Sequence, residues 1–397
     1  AVEGNYIDRD KNSFTASGIT KLIFTNLEDE YVYEAEAAES GYRLSLRNGS
    51  YSIEAVGSTY QTGTHVVVEG ETVKKDLMFH YQKPVVPIPS GVTDIYVGYE
   101  EKDCNYKNLT DAVAALNEAA PDSEEKRITV HIAPGEYREQ LKITASYITF
   151  KNEEPDKGEV RITGYYGIGH EYYSLNADGF YDIERAYDKF DKITCTKSWG
   201  STVYLSGGYF RAERIHFENS FNKYVTEEEI EDGAGLPNGE LRTLQTDVTT
   251  KANTERAAAI VIGGSSGDNC DFCEFYKCSF SSSQDTLFVR RHAYFRDCFI
   301  EGNTDYIFGE AGITCVFDGC ELSFAGYGGT ASAAYITANR SEGNALGSIF
   351  RNCVITNKEG LSHTASYFGR PWDAKSRVTF FNTKVQDAET MIDAGWY

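Results

Sequence analysis

A chain of 397 residues exceeds the usual size of one domain, so its length favours two domains or an elongated repeat structure with an appendage. Aromatic residues make up 13% of the chain and methionine occurs twice, a composition that favours β-structure over helix. The formal net charge of −22 argues against a nucleic-acid partner, because phosphate binding depends on clustered lysine and arginine. No apolar run is long enough to cross a membrane.

The first 82 residues contain short alternating segments of apolar and polar side chains, separated by glycine, asparagine and serine turns. This pattern predicts a small accessory β-sandwich, and the stretch from Gly41 to Phe79 resembles the prealbumin-like fold of carboxypeptidase regulatory domains. A spacer module and a carbohydrate-binding module both agree with this pattern. Three of the eight prolines fall between His80 and Gly91, so we expect a stiff linker at residues 83–91 and a second domain at 92–397.

The second domain begins with a predicted helix and a predicted strand. The segment from Asn108 to Pro121 places Val113 and Leu116 on one helical face, and the proline ends the helix. In the strand that follows, isoleucine and valine alternate inward from Ile128 onward.

From Phe210 onward the sequence repeats itself, most clearly as a phenylalanine three residues ahead of a cysteine. The pattern recurs with its cysteines at Cys278, Cys298, Cys320 and Cys353. Their spacings of 20, 22 and 33 residues suit one coil of a solenoid with loops of varying length. We expect these thiols to stack as a ladder in the core. A zinc or redox site at Cys270–Cys278 is the alternative, but structural zinc needs four ligands and only His292 lies near.

Two aspartates lie in loops between these repeats, at matching positions. Asp285 lies in the segment SSQDTLF and Asp305 in NTDYIFG, 20 residues later, which is one coil. Residues one coil apart at the same phase stand on neighbouring parallel strands about 4.8 Å apart, so the two carboxylates should share a site. Like charges at this distance raise one pKa, which allows one carboxylate to attack and the other to donate a proton. An isolated aspartate is more often a turn residue, but the shared phase argues for the pair.

Three further residues have side chains that suit a site around this pair. Gln284 directly precedes Asp285, and its amide could donate a hydrogen bond to an oxyanion. In the later segment YFGRPW, Arg370 could pair with a carboxylate and keep it ionised. Trp372 offers a flat apolar face of the kind on which sugar rings stack.

Together these segments resemble the pectin methylesterases, also called pectinesterases. Four motifs match that family in order, and the resemblance covers about residues 92–397: GEYRE (Gly135–Glu139), QDTL (Gln284–Leu287), DYIFG (Asp305–Gly309) and FGRPW (Phe368–Trp372). The resemblance implies an all-β protein whose catalytic domain is a right-handed parallel β-helix.

By the same resemblance, Asp305 is expected to be the nucleophile that attacks the methyl ester carbonyl of a galacturonate. Asp285 would protonate the departing methanol and then serve as base for water. Gln284 would steady the oxyanion, and Arg370 would orient and ionise Asp305. No metal and no organic cofactor is implied. The sugar subsites are expected to be lined by Trp372, Phe288 and Phe308.

Two departures from the family pattern affect this expectation. In ERAAAI the family commonly has a glutamine at the oxyanion site where this chain has Arg256, which could still donate and would attract the galacturonate chain. The segments at 165–198 and 224–254 are longer and more acidic than a coil needs, so they either shape the cleft or are solvated elaborations. The chain also ends where the family usually continues, so a C-terminal tail is expected to be missing.

The sequence therefore predicts a carboxylic ester hydrolase that demethylates pectin, a methyl-esterified homogalacturonan, to pectate and methanol. Two alternatives stay open: a pectin-binding solenoid whose catalysis is weakened by Arg256, and another β-helix pectin enzyme such as a lyase or a polygalacturonase. Pectin is the expected partner, with no nucleic acid and no membrane span, and we expect a monomer. The polymeric substrate predicts a secreted or cell-surface location, and the appended sandwich suggests a bacterial source.

Overall fold

We describe the chain from a computed structural model, in residues 1–8, 11–15, 18–57, 61–79, 85–100, 102, 105–196, 200–235, 241–248, 255–263, 270–310, 312–326, 333–359 and 366–397. The chain divides into two compact units. The first contains Ala1–Pro84, Glu171–Thr194 and Glu231–Leu241, and the second contains Val85–His170, Cys195–Ile230 and Arg242–Tyr397. The boundaries of the accessory domain at 1–82 and of the linker at 83–91 remain predictions. Part of the linker lies outside the described residues.

The first unit encloses its own apolar core between two small sheets. One sheet contains Gly41–Leu44, Val2–Ile7, Leu77–Phe79 and Gln61–Thr62 in spatial order, with Val73–Lys74 also paired to the strand Val2–Ile7. The other contains Val32–Glu36, Lys21–Asn26, Gly49–Val56 and His65–Val68. Alternate residues of these strands, such as Leu22 and Phe24, are fully buried in the shared core. On strands such as Lys21–Asn26, period-2 alternation in the sequence therefore corresponds to one buried face.

A segment distant in sequence completes the first unit. It contains the paired strands Glu171–Tyr172 and Ile193–Thr194 and the helix Ile183–Asp188. The carboxylate of Asp188 accepts hydrogen bonds from the His65 ring at 2.7 Å and from Lys75 at 3.1 Å, and Phe190 stacks on His65. Much of the long segment at 165–198 is therefore part of this unit.

The second unit is built on three parallel sheets, and from Ile128 to Pro371 each successive coil of the chain adds one strand to each of them. The first sheet contains, in spatial order, Asn105–Tyr106, Asp94–Val97, Ile128–Ile132, Ile148–Lys151, Arg211–Glu213, Cys273–Tyr276, Ala293–Arg296, Thr314–Asp318, Gly347–Arg351 and Val378–Phe381. The second contains Gly135–Arg138, Val160–Gly164, Ile215–Asn219, Ser279–Ser281, Phe299–Gly302, Glu321–Phe324, Val354–Asn357 and Lys384–Val385. The third contains Leu141–Ile143, Ser201–Leu205, Ala258–Ile262, Leu287–Val289, Ile307–Gly309, Tyr335–Asn339 and Tyr367–Pro371. This arrangement confirms the predicted parallel β-helix.

Identical side chains stack along the interior of the helix at the predicted phase. Rings from five successive first-sheet strands lie nearly parallel, with centroid separations of 4.8, 4.7, 4.6 and 4.4 Å: Phe275, Phe295, Phe317, Phe350 and Phe380. The cysteine that follows each of the first four is buried, and the thiols of Cys298, Cys320 and Cys353 each donate to the carbonyl of a phenylalanine one coil away at 3.5 Å. These contacts confirm that the four cysteines form a core ladder.

Three α-helices and two short 3₁₀-helices occur among the described residues: Leu109–Ala119, Ile183–Asp188 and Glu227–Glu231, with Glu124–Lys126 and Ala388–Thr390. The helix Leu109–Ala119 packs its apolar face on the β-helix core, as predicted, and none of the described helices is long and apolar enough to span a membrane. The Glu139 carboxylate, at the end of GEYRE, accepts from the backbone of Leu109 and Thr110 at 3.0 and 2.6 Å. The last residue of this motif therefore caps a helix N-terminus, where a carboxylate is stabilising.

Replacing Glu139 with alanine is expected to lower the free energy of unfolding by about 1–2 kcal/mol, because two backbone amides of the helix lose their acceptor. Calorimetric melting would measure the change. Glu118→Ala, at an exposed position near the other end of the same helix, is the matched control. Equal melting temperatures for the two variants would contradict a capping role for Glu139.

Candidate active site

The two aspartates lie on turns that lead into neighbouring strands of the third sheet. Asp285 precedes the strand Leu287–Val289, and Asp305 precedes Ile307–Gly309. Gln284 forms an isolated parallel bridge with Thr304, and the Asp285 amide donates to the Thr304 carbonyl at 3.2 Å. The two turns are thus in register, and the carboxylates interact because they belong to adjacent coils.

Both aspartates adopt a left-handed backbone conformation, with φ of 54° at Asp285 and 47° at Asp305. This region is uncommon for residues other than glycine, although aspartate tolerates it better than most. Buried polar side chains brace the turns from behind: the Ser282 hydroxyl donates to the Ala257 carbonyl at 2.6 Å, and the Asn303 amide donates to the Ser283 hydroxyl at 3.1 Å. Backbone strain of this kind persists where surrounding structure enforces it, and it is common at functional sites.

Arg370 holds the Asp305 carboxylate from the third-sheet strand Tyr367–Pro371. Its Nε donates to Oδ1 at 2.8 Å and a terminal nitrogen donates to Oδ2 at 2.5 Å, while Asp305 is only 2% exposed. The guanidinium carbon also lies 4.7 Å from the centre of the Tyr335 ring. A Cβ at Gly369 would lie 2.0 Å from the Thr337 hydroxyl, so only glycine fits beside this arginine. A bidentate pair of this geometry fixes the carboxylate and favours its ionised form.

Burial and neighbouring charges give the two carboxyl groups different acidities. Burial, with a further contribution from the neighbouring Asp305 charge, raises the pKa of Asp285 to about 8, although Arg256 and Arg370 oppose the shift. Burial also raises the pKa of Asp305, but its hydrogen bonds and charge contact with Arg370 act in the opposite direction. Asp285 is therefore the carboxyl group that more readily keeps its proton, and Asp305, held by Arg370, is the one that more readily carries the negative charge.

Three aromatic side chains lie next to this pair in contact with one another. The rings of Phe288 and Phe308 meet edge to face at 5.3 Å, and Phe308 meets Trp372 in the same way at 5.6 Å. Phe308 is 8% exposed, whereas Trp372 is 47% exposed. Arg290 lies 4.5 Å above the Phe288 ring. The structure thus brings the predicted sugar-binding residues together in one apolar row with an open end.

Arg256 lies one coil before Gln284, with which it forms a parallel bridge. Its side chain is partly buried, and its charge acts on Asp285.

Every sequence-predicted site residue therefore lies around the pair, whereas Tyr335 and Arg290 were missed. One sequence signal for Tyr335 was available: it occupies the position in its coil that Tyr367 of the YFGRPW segment occupies in the next. The two rings stack at 5.1 Å. In the described part of the chain, no group of three or more histidine, cysteine or acidic residues could hold a metal ion.

Comparisons with known proteins agree with this geometry. The Pectinesterase family profile matches residues 242–397, which include both aspartates and Arg370. Over 300 residues the chain is 29% identical to a probable pectinesterase/pectinesterase inhibitor of Arabidopsis thaliana, covering 73% of this chain and 41% of that relative. Over 288 residues it is 27% identical to a probable pectinesterase A of Aspergillus niger, covering 72% and 68%. The chain therefore spans about two fifths of the length of the plant relative.

Solved structures give the same result for the fold. A pectin methylesterase from Aspergillus niger superposes with a TM-score of 0.53 at 25% identity, covering 78% of this chain and 81% of the other. A pectin methylesterase from carrot superposes with a TM-score of 0.54 at 23% identity, covering 78% of each chain. With two aspartates on adjacent coils and an arginine clamp from the strand Tyr367–Pro371, the chain is similar to pectinesterases in sequence and fold, and its residues 242–397 match the Pectinesterase family profile.

Proposed function

We propose that this protein hydrolyses the methyl esters of pectin, releasing methanol and leaving free galacturonate carboxylates. The observation that carries the proposal is the contrast within the aspartate pair. Asp305 is clamped by Arg370 at 2.5 and 2.8 Å, while the pKa of the adjacent Asp285 is raised to about 8. One ionised and one protonated carboxyl group side by side are what a nucleophile and a general acid require.

In the first step, a carboxylate oxygen of Asp305 attacks the carbonyl carbon of the methyl ester. The negative charge that develops on the carbonyl oxygen is stabilised by the side-chain amide of Gln284. The bond between the carbonyl carbon and the methoxy oxygen then breaks, and the leaving oxygen takes the proton of Asp285. Methanol departs, and galacturonate and Asp305 remain joined as an acid anhydride.

In the second step, Asp285 is ionised and accepts a proton from water. The resulting hydroxide attacks the galacturonyl carbonyl carbon, and the bond to the Asp305 oxygen breaks. Asp305 recovers its negative charge beside Arg370, and Asp285 recovers its proton. The net reaction consumes one ester and one water and yields methanol and a galacturonic acid, which ionises in solution.

Substrate binding is assigned to the aromatic row and the cations around it. Trp372, Phe288 and Phe308 offer apolar faces and edges against which sugar rings pack. Arg256 supplies positive charge in a chain whose formal net charge is −22, where a polyanionic substrate is otherwise repelled. The similarity to pectinesterases supports pectin as the partner that fits this combination.

The test is methanol release from highly methylated pectin, with reducing ends followed in parallel. We expect methanol to appear without new reducing ends, because ester hydrolysis leaves the glycosidic bonds intact. New reducing ends would favour a lyase or polygalacturonase. Binding of pectin by the folded protein without methanol release would favour the pectin-binding alternative and would point to Arg256 as the cause.

Location and organisation follow from this function as proposals. A polymeric cell-wall substrate places the protein outside the cytoplasm, secreted or on a cell surface. Residues 1–82 are proposed as an accessory module, joined by a linker at 83–91 to a catalytic domain at 92–397. The site draws all its proposed residues from one chain, which supports a monomer.

A further inference from the structure

A buried asparagine joins two distant points of the chain directly before Arg256. Asn222 is 1% exposed, and its side-chain amide donates to the Glu255 carbonyl at 2.5 Å and accepts from the Glu255 backbone amide at 3.0 Å. The two residues lie 33 positions apart in the chain. A segment of this length does not by itself fix the separation of its ends, because closing it costs conformational entropy. Asn222 therefore fixes the point at which the chain returns to the β-helix.

The backbone that follows Arg256 is held at two further points. The Ser282 hydroxyl donates to the Ala257 carbonyl at 2.6 Å, and the Asn219 amide donates to the Ala258 carbonyl at 3.2 Å. Both of these polar side chains are fully buried. Arg256 thus lies between a backbone fixed on its C-terminal side by these bonds and a backbone fixed on its N-terminal side by the asparagine described above.

The position of this backbone matters because the charge of Arg256 acts on Asp285. Burial and the Asp305 charge raise the pKa of Asp285, and the charges of Arg256 and Arg370 oppose that rise, with Arg256 the stronger of the two. Arg370 is held in place by its two hydrogen bonds to Asp305. The interaction of two charges depends on their separation, so a displaced Arg256 would leave Asp285 a weaker acid.

We propose that Asn222 is a positioning residue for ester hydrolysis, which acts by keeping the guanidinium of Arg256 beside Asp285. The inference rests on the proposed esterase function. Without the side-chain amide, the Glu255 backbone loses both of its bonds to this side chain, and the segment before Arg256 gains freedom. The cation that acts on the acid and attracts the substrate then leaves its place.

A double-mutant cycle tests whether Asn222 acts through Arg256. The value of kcat/KM for methanol release is measured for the parent, Asn222→Ala, Arg256→Gln and the double variant. We expect Asn222→Ala to lower it about tenfold in the parent and less than about twofold in the Arg256→Gln background, because residues in one network are coupled. An equal loss in both backgrounds would overturn the proposal, since Asn222 would then act independently of Arg256.

Asn152→Ala is the matched control for the loss of a buried asparagine. Asn152 is 2% exposed, donates to the Gly158 carbonyl at 3.0 Å and accepts from the Glu154 backbone amide at 3.0 Å, next to a first-sheet strand. It should lower the melting temperature as Asn222→Ala does, but leave kcat/KM at the parent value. An equal fall of kcat/KM in both variants would trace the loss to stability and refute the proposal.

If Asn222→Ala does not fold, Asn222→Ser replaces it in the cycle, because a hydroxyl tolerates hydration at the vacated position better than a methyl group does. We expect the same dependence on Arg256. Failure of both variants to fold would make Asn222 a purely structural residue and would overturn the positioning role.

A titration of Asp285 separates this inference from the esterase function. Carboxyl ¹³C NMR follows the group, and its line is assigned by its absence in Asp285→Asn. We expect the midpoint to rise in Asn222→Ala and in Arg256→Gln, and to stay at the parent value in Asn152→Ala. An unchanged midpoint in Asn222→Ala would refute the proposal. If the parent releases no methanol, the proposed function fails, while this titration still decides whether Asn222 positions Arg256.

Discussion

Replacing Asp305 with asparagine is expected to abolish methanol release, with a fall in kcat of about 10⁴-fold or more. The amide of asparagine cannot attack an ester carbonyl as a carboxylate does, and it leaves Arg370 without the anion that it binds at 2.5 and 2.8 Å. Asparagine has nearly the same size and tolerates the left-handed conformation at this turn. The loss should therefore reflect chemistry, and melting curves would show whether the fold is retained.

Asp297→Asn provides the control for this experiment. Asp297 has the same left-handed conformation, with φ of 53°, but its side chain is half-exposed and lies between the first and second sheets. This variant should release methanol at the parent rate. Substantial methanol release by the Asp305 variant would mean that another group attacks the ester.

Replacing Asp285 with asparagine is expected to lower kcat by about 10²- to 10⁴-fold, because asparagine cannot protonate the leaving methanol or activate water. The parent should also lose activity as pH rises through about 8, the pKa to which burial and Asp305 raise Asp285, since the first step needs its proton. Initial rates from pH 5 to 10 would measure both effects. A parent rate that is flat across this range would argue against Asp285 as the general acid.

The same substitution should alter stability in a direction fixed by the sign of the pKa shift. The pKa of Asp285 is higher in the folded protein, at about 8, than in the unfolded chain, at about 4. Between these values the folded state binds more protons, so the free energy of unfolding falls as pH rises through this window. Asparagine does not titrate, so the melting temperature of Asp285→Asn relative to the parent should increase from pH 4 to pH 8. A difference that is constant with pH would contradict the shifted pKa.

Much of this protein follows from local sequence patterns. The parallel β-helix was predictable because each coil buries its apolar face only against its neighbours, so phenylalanine and cysteine recur at one phase and stack at 4.4–4.8 Å. The approach of the two aspartates was predictable for the same reason. A separation of 20 residues equals one coil, and a regular solenoid converts equal phase into adjacency.

The phase of the repeat does not indicate which of the two aspartates is ionised. Arg370 lies 65 residues beyond Asp305, and it reaches that carboxylate because its strand pairs with Tyr335–Asn339 after loops of irregular length. The repeat phase alone gives both aspartates the same surroundings, and only the resemblance to pectin methylesterases assigned Arg370 to Asp305. Only the folded chain partly buries Asp285 beside a second carboxylate and brings Arg370 to Asp305.

The sequence by itself thus determined the repeat, its phase and the chemical groups that meet on the third sheet, because these depend on local period. Tertiary structure decided how burial and charge act on each carboxyl group, that Glu139 caps a helix 30 residues earlier, and that Asp188 belongs with His65 in the first unit. Each of these depends on contacts between segments joined by non-repeating loops. Their distances follow from packing and burial, which no local pattern records.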